Sequence, residues 1–200
     1  MNMVPNIRNV SFENVQFGAA RDNVGGGRTV GVYTPSKSKY TLKIKNCLSM
    51  DGIQGDARKW LELTVPDASA IREIDTLVVK QAQTRNLEWF GKAGLEDSVV
   101  KAMFKPSQVN NSVTVHVPVD PITNEFAGTI FNTQSRRVDS QTHPIANVRI
   151  DVVVQLTGVY FVPGQFGLSW KLIQVLVHPR YSLPTCAFQA DDDDSDAEPV

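Results

Sequence analysis

Residues 148–178 read VRIDVVVQLTGVYFVPGQFGLSWKLIQVLVH, and this stretch decides the class of fold. Two runs rich in β-branched and aromatic side chains, 148–162 and 168–178, flank the breaker Pro163-Gly164-Gln165. Such side chains suit a pleated backbone, and Pro-Gly between them predicts a reversal. A long hairpin through the core is expected. The same two-residue period recurs upstream, where Val113, Val115 and Val117 alternate with Thr114 and His116. It recurs again where Tyr40, Leu42 and Ile44 share one face and Thr41, Lys43 and Lys45 the other. Further strands are expected over 8–17, 28–34 and 60–65, the first two separated by Gly25-Gly26-Gly27. Another, over 125–131, should partner 113–117 across a turn containing Asp120, Pro121 and Asn124.

Helical spacing is confined to the middle of the chain. Ile71, Ile74, Leu77, Val78 and Ala82 recur at three- and four-residue intervals, so an amphipathic helix is predicted over 69–84 with Asp67 or Ser69 at its start. A shorter helix is predicted from Leu95. Glu96 and Asp97 favour its N-terminal dipole, Val99, Val100 and Met103 form its apolar side, and Pro106 ends it. Strands, then two helices, then strands make a mainly β (α+β) pattern. A β-barrel with a two-helix insertion is the expected architecture.

Charge is distributed unevenly. The last ten residues hold six acids and no base (Asp191, Asp192, Asp193, Asp194, Asp196 and Glu198), while all 20 Lys and Arg lie before them. The formal net charge of −1 therefore joins a body near +5 to a tail near −6. The expected division is a domain over 1–188 and a disordered acidic tail over 189–200. A basic body that grips a polyanion would meet this tail as an intramolecular competitor. No apolar run approaches the roughly 20 residues that a spanning helix needs, and the start of the chain lacks a signal peptide's pattern. The expected location is intracellular, with no membrane partner.

Catalytic signatures are weak. His116, His143 and His178 have no His or Cys neighbour at metal-ligand spacing, and Cys47 and Cys186 stand alone. The triple glycine lacks the Lys-Ser/Thr pair of a phosphate-binding loop. Asp51 with Asp56, and Asp120 with Glu125, are spaced acid pairs without a third carboxylate. Neither an enzyme nor a bound metal or cofactor is expected.

Basic and aromatic residues interleave on the strands instead. Tyr33, Lys37, Lys39, Tyr40, Lys43 and Lys45 fall close together and are followed by Arg58 and Trp60. Lysines on one strand face can track a phosphate backbone while rings stack on bases. Tyr40 is either such a ring or a core residue, because it shares a face with Leu42 and Ile44. A second basic site is Arg136-Arg137, in a polar stretch over 132–143 with Phe131 at its base. That stretch reads as a long mobile loop able to clamp a single strand.

The segment Asn86-Leu87-Glu88-Trp89-Phe90-Gly91-Lys92 resembles the Asn-x-x-Trp-Phe-Gly-Lys segment of single-stranded-DNA-binding-like proteins of large double-stranded DNA viruses. Gly158-Val159-Tyr160-Phe161 with residues 166–175 is similar to their closing hairpin. A looser likeness is to the single-stranded-DNA-binding proteins of podophages. This resemblance implies an OB-like β-barrel that coats unwound DNA in viral replication, recombination and repair, at the site of replication in the infected cell. It also implies recruitment of polymerase or helicase through the acidic tail, and it adds Lys92 to the candidate DNA contacts. Sequence-independent binding of single-stranded DNA is the expected function. The alternative is a structural or virion β-sandwich protein that binds no nucleic acid. Barrel edges can pair between subunits, which leaves a homo-oligomer open.

Overall fold

The structure, a computed structural model, describes residues 4–24, 26–139 and 143–179. The acidic tail, Gly25, Cys186 and part of the 132–143 stretch lie outside the described residues. The strands are β1 (Gln16–Asp22), β2 (Arg28–Tyr33), β3 (Thr41–Ser49), β4 (Ile53–Gln54) and β5 (Lys59–Thr64), followed by helices α1 (Ser69–Thr84), α2 (Asn86–Phe90) and α3 (Asp97–Met103). After them come β6 (Phe104–Lys105), β7 (Gln108–Val109), β8 (Ser112–Val117), β9 (Thr129–Asn132), β10 (Arg137–Val138), β11 (Val148–Val162) and β12 (Gln165–Val177).

The hairpin of 148–178 is the seam of the molecule. β11 pairs antiparallel with β12 from Ile150↔Val177 to Val162↔Gln165. Its other edge takes β3 along one half and β2 along the other. β3 passes to β5, β5 to β8, and β8 returns parallel to β12 at Lys171↔His116. Strands β11, β3, β5, β8 and β12 therefore close a five-membered ring, an OB-like β-barrel in a mainly β protein.

Alternation fills the barrel. Leu42, Ile44, Leu61, Leu63, Val113, Val115, Val117, Val152, Val154, Leu156 and Leu172 are all buried. On β3 the period breaks at Asn46, whose left-handed backbone (φ 56°) marks an extra residue. Its N–H donates to Asp151 Oδ1 at 2.9 Å. This bulge resets the inward phase from Leu42 and Ile44 to Cys47 and Ser49. Tyr40 belongs to the inward set, with its ring 5.1 Å from Phe12. Its expected role as a stacking surface is corrected: the ring is in the core, and burial pushes the phenol's pKa up. Burial and the Asp151 carboxylate likewise push the Cys47 thiol up to about 12, so it behaves as a small apolar residue.

Two expected strands differ. Over 8–17, Asn6 accepts the Arg8 N–H (3.1 Å) and opens a 3-10 turn over Ile7–Asn9, so strand pairing starts only at Gln16. Over 125–131, Asp120 Oδ1 takes the N–H groups of Ile122 and Thr123 (2.8 and 3.0 Å) and tightens the expected turn. The strand beyond it, β9, runs parallel along β12 from Gln174↔Thr129. The expected return is made only by the residues before it, where Val119 bridges Phe126 antiparallel and the Ala127 N–H donates to the Pro118 carbonyl at 2.9 Å, while β9 itself does not pair with β8.

The helical insertion contains a third short helix. α1 buries Ile71, Ile74, Val78 and Ala82. α2 ends at Gly91 in the left-handed region (φ 69°) and drives Trp89 inward. The Trp89 ring packs on Phe17 and Phe161 at 5.5 and 5.7 Å, and Phe90 lies 5.3 Å from both Phe161 and Phe166. Residues 86–92 are thus a plug that fixes the helices to the hairpin tip.

One buried acid ties α1 to the barrel. Asp75 accepts from Ser107 N–H (2.9 Å) and Ser107 Oγ (2.6 Å), and Ser107 Oγ accepts from Trp170 Nε1 (3.2 Å). Burial raises the Asp75 pKa to about 6, although both hydrogen bonds from Ser107 oppose the rise. The native state therefore holds the proton more tightly than the unfolded chain does. The resulting stability is fully present below the unfolded value of about 4 and is lost as pH rises through about 6. Relative to Asp75→Asn, the wild type should lose up to about 3 kcal/mol across that window. Urea midpoints of both proteins against pH measure this, and a constant difference would contradict it.

Candidate nucleic-acid interface

The outward face of the barrel carries the opposite half of the alternation. Trp60 on β5 is the register partner of His116 on β8, and His116 is the partner of Lys171 on β12. Three consecutive strands therefore present an aromatic ring, an imidazole and an ammonium in one row. Above this row lies a cleft of about 580 Å³, bounded by Arg58, Lys59 and Trp60 on one side and by Lys105, Pro106 and Ser107 on the other. Tyr160 and Ser169 line its end. The same two residues line a second cleft of about 290 Å³, with Arg21, Tyr33, Lys39 and Thr157. The clefts thus adjoin at Tyr160 and Ser169, and together they form a trough whose lining comes from β1, β2, β11, β12, β8 and β5, in spatial order. Five gaps of about 4.8 Å give it a length of roughly 24 Å.

Three rings lie in the trough, and each rests on a glycine. A Cβ at Gly31 would overlap the Tyr33 ring, and one at Gly18 would meet it at 3.2 Å. Gly167, the cross-strand partner of Tyr160, would meet that phenol at 3.0 Å. Gly55 (φ +87°) would collide with the six-membered ring of Trp60. Glycine removes the Cβ that would lift each ring off the sheet, so the rings lie flat as platforms. Tyr33 differs from the other two in being covered on its other face: Lys39 Nζ stands 4.3 Å over its centroid and donates to the Thr157 carbonyl at 2.6 Å, so this ring seats a cation rather than a base.

The electrostatics favour an anion. Arg21, Lys39, Arg58, Lys59 and Lys105 line the trough and Lys171 flanks it, against one acid, Glu62, which accepts the Ser112 hydroxyl. Among the described residues none of these cations is within 4 Å of a carboxylate, and Lys59 donates to the Asn124 carbonyl (2.7 Å). His116 reports the resulting field. Burial, Lys171 and Arg58, in that order, hold its pKa below the ordinary imidazole range.

Of the residues singled out in the sequence, the trough brings together Tyr33, Lys39, Arg58 and Trp60. Lys37 sits in a turn at φ 61°, and Lys43 and Lys45 lie on β3 outside the lining residues. Lys92 stands with Arg28 at a separate apolar pocket formed by Phe90, Leu95, Val99, Met103 and Val162. Phe131, Arg136 and Arg137 form no part of the trough. They belong to a tight β9–β10 hairpin in which Asn132 Oδ1 accepts from Gln134 and Arg136 N–H (3.0 Å each). Up to Asp139 the expected long loop is therefore an ordered turn and strand. Arg21, Lys105, His116, Tyr160 and Lys171 were missed. The polar phase of β8 (Thr114, His116) and of β12 (Ser169, Lys171) was the signal for two of them.

Residues 51–189, more than half of the chain, match the family model described as "Family of unknown function (DUF5871)". The chain belongs to this family. No curated protein matches it in sequence. In outline the DUF5871 chain is similar to the single-stranded DNA-binding protein from bacteriophage Enc34, at 12% identity and TM-score 0.41, covering 81% of this chain and 89% of that one. The same phage protein in complex with ssDNA gives 11%, 0.41, 86% and 99%. For gp2.5, a single-stranded DNA-binding protein encoded by bacteriophage T7, the values are 16%, 0.45, 82% and 99%. The solved structures are phage proteins rather than proteins of large double-stranded DNA viruses, and likeness at this level assigns no residue of the DUF5871 chain a role.

The three tryptophans separate cleanly by exposure: Trp60 is 43% exposed, Trp89 1% and Trp170 3%. Acrylamide should quench chiefly Trp60. Replacing it by Phe is expected to remove most of the quenchable fluorescence, and retention of that quenching would place Trp60 elsewhere.

Proposed function

We propose that this protein binds single-stranded DNA without sequence preference, along the trough. The observation that carries the reading is the combination, along two adjoining clefts, of five lining cations and the flanking Lys171 with the Trp60 and Tyr160 rings, against the single acid Glu62. Cations neutralise phosphate, and every base has a π-face to stack, so such a channel tolerates any sequence. A trough of about 24 Å, by the usual inter-strand spacing, accepts a single strand of a few nucleotides. The reading is of a binding protein rather than an enzyme.

A viral replication, recombination or repair setting inside the infected cell rests on the sequence resemblance of residues 86–92 and 158–175. Recruitment of polymerase or helicase by the acidic tail rests on the same resemblance. Competition between tail and DNA rests on the charge partition of +5 against −6.

Fluorescence anisotropy with an oligothymidylate tests the central reading. Log affinity should fall with log salt by about 0.7 per phosphate contacted. Trp60→Ala should cost about 1–3 kcal/mol if one base stacks there, and Arg58→Ala with Lys105→Ala should flatten the salt slope. A virion β-sandwich protein predicts no change in oligonucleotide mobility at low salt, and that result would exclude the trough as a DNA site.

The tail is tested by deleting residues 190–200. Binding at low ionic strength should tighten, and added salt should shrink the gain as the tail's charge is screened. Equal affinity of the two proteins at low salt would remove the competition while leaving the trough intact.

A further inference from the structure

We infer that His116 grips a phosphate as an imidazolium, so that binding of a single strand takes up one proton from solution at this residue. The inference rests on the reading of the trough as a DNA site and deepens it, because it makes affinity a function of pH.

The geometry comes first. His116 lies on the floor of the larger cleft, in register with Trp60 on one side and Lys171 on the other. A phosphate seated between the Trp60 platform and the Lys171 ammonium must pass over the imidazole. The titratable and charged groups around His116 are its register partner Lys171 from β12 and Arg58 just before β5, with Lys105 from β6, the Tyr160 phenol from β11 and Glu62 from β5 elsewhere in the lining of the same cleft. Lys59, the remaining cation of the cleft, turns its ammonium to the Asn124 carbonyl. Glu62 accepts from Ser112 and pairs in register with Thr114 rather than with His116. No carboxylate therefore stands in the His116 row, and the ring's charged neighbours there are cations.

That surrounding holds the empty site neutral. Partial burial together with Lys171 and Arg58 disfavours a third positive charge. A backbone phosphate brings one negative charge, which offsets part of the repulsion from Lys171 and Arg58 and offers the imidazolium an acceptor for a charge-assisted hydrogen bond. The proton is supplied by the buffer, and the ring passes from imidazole to imidazolium with no other bond changed. By linkage, affinity rises as pH falls between the bound and free titration points of the ring, by up to about tenfold per pH unit. His178 is distinct from this site, since its Nε2 is 2.9 Å from Asp151 Oδ1.

The test is calorimetric titration of the full chain with an oligothymidylate at several pH values between about 5.5 and 7, in MES and in Bis-Tris, two phosphate-free buffers of different ionisation enthalpy. The dependence of heat on the buffer's ionisation enthalpy counts protons. Wild type should take up as many as one proton per strand bound, and His116→Gln should take up none and bind with an affinity that no longer follows pH. In parallel, the His116 ring resonance in the wild type should shift its titration midpoint to higher pH when the oligonucleotide is added, a readout independent of whether the variant folds. Binding without proton uptake, uptake that persists in His116→Gln, or an unmoved His116 midpoint overturns the inference and leaves the trough standing as a DNA site. Absence of binding by the wild type at low salt overturns the DNA reading and this inference with it.

Discussion

The antiparallel pairing of β11 with β12 is the constraint on which the rest of the molecule depends. Each of these strands is long enough to serve several neighbours in turn, β11 taking β2 and β3, and β12 taking β6, β8 and β9. A straight ladder of this length could not turn from one set of partners to another. The register shifts at Val153/Val154 and Leu156/Gly158 supply the bends, and the Asn46 bulge supplies the matching bend on β3. Closure through the parallel β8–β12 contact then follows from chain geometry, and the core is the set of side chains that the closed ring faces inward.

Closure also makes the face that carries the trough. Once Leu61, Val115 and Leu172 point into the barrel, Trp60, His116 and Lys171 point out in strict alternation, so core and site are two halves of one periodic pattern. A residue slip in β8 would carry His116 inward and Val115 outward. The glycines add a second layer of order. Because Gly31, Gly55 and Gly167 lie under the rings of Tyr33, Trp60 and Tyr160, those rings are already positioned before any ligand arrives, and less side-chain entropy is lost on binding than for free rotors.

What the sequence made legible was what period and breaker residues encode. The 148–178 hairpin, the strands at Arg28, Lys59 and Ser112, and the helix Ser69–Thr84 all emerge from local patterns of apolar spacing. Long-range choices did not. That β9 lies parallel to β12 rather than folding back on β8 depends on where the ring closes, which no local window contains. Tyr40 exposed the same gap on the site side. Its alternation with Leu42 and Ile44 already placed it inward, yet its proximity in sequence to lysines grouped it with the DNA contacts. Sequence neighbours such as Lys37, Lys43 and Lys45 scattered in space, whereas Arg21, Lys105 and Tyr160, far apart along the chain, converged on one trough. Clusters of charge in sequence mark a face only when the strand order that assembles the face is known.

The relay from Asp75 through Ser107 to Trp170 shows how the helical insertion bears on the binding face. Ser107 and Trp170 line the larger cleft, while Asp75 belongs to α1 on the far side of β6. Ser107 has one hydroxyl proton; it spends that on the carboxylate and accepts the indole N–H, so its orientation is determined by both partners. Losing the carboxylate's charge weakens the pull on that proton but leaves the indole contact in place. The insertion thus braces the wall of the trough that carries Lys105, and it does so through a buried acid rather than an ion pair. Ser107, two residues along the chain from Lys105, therefore couples the cleft lining to α1.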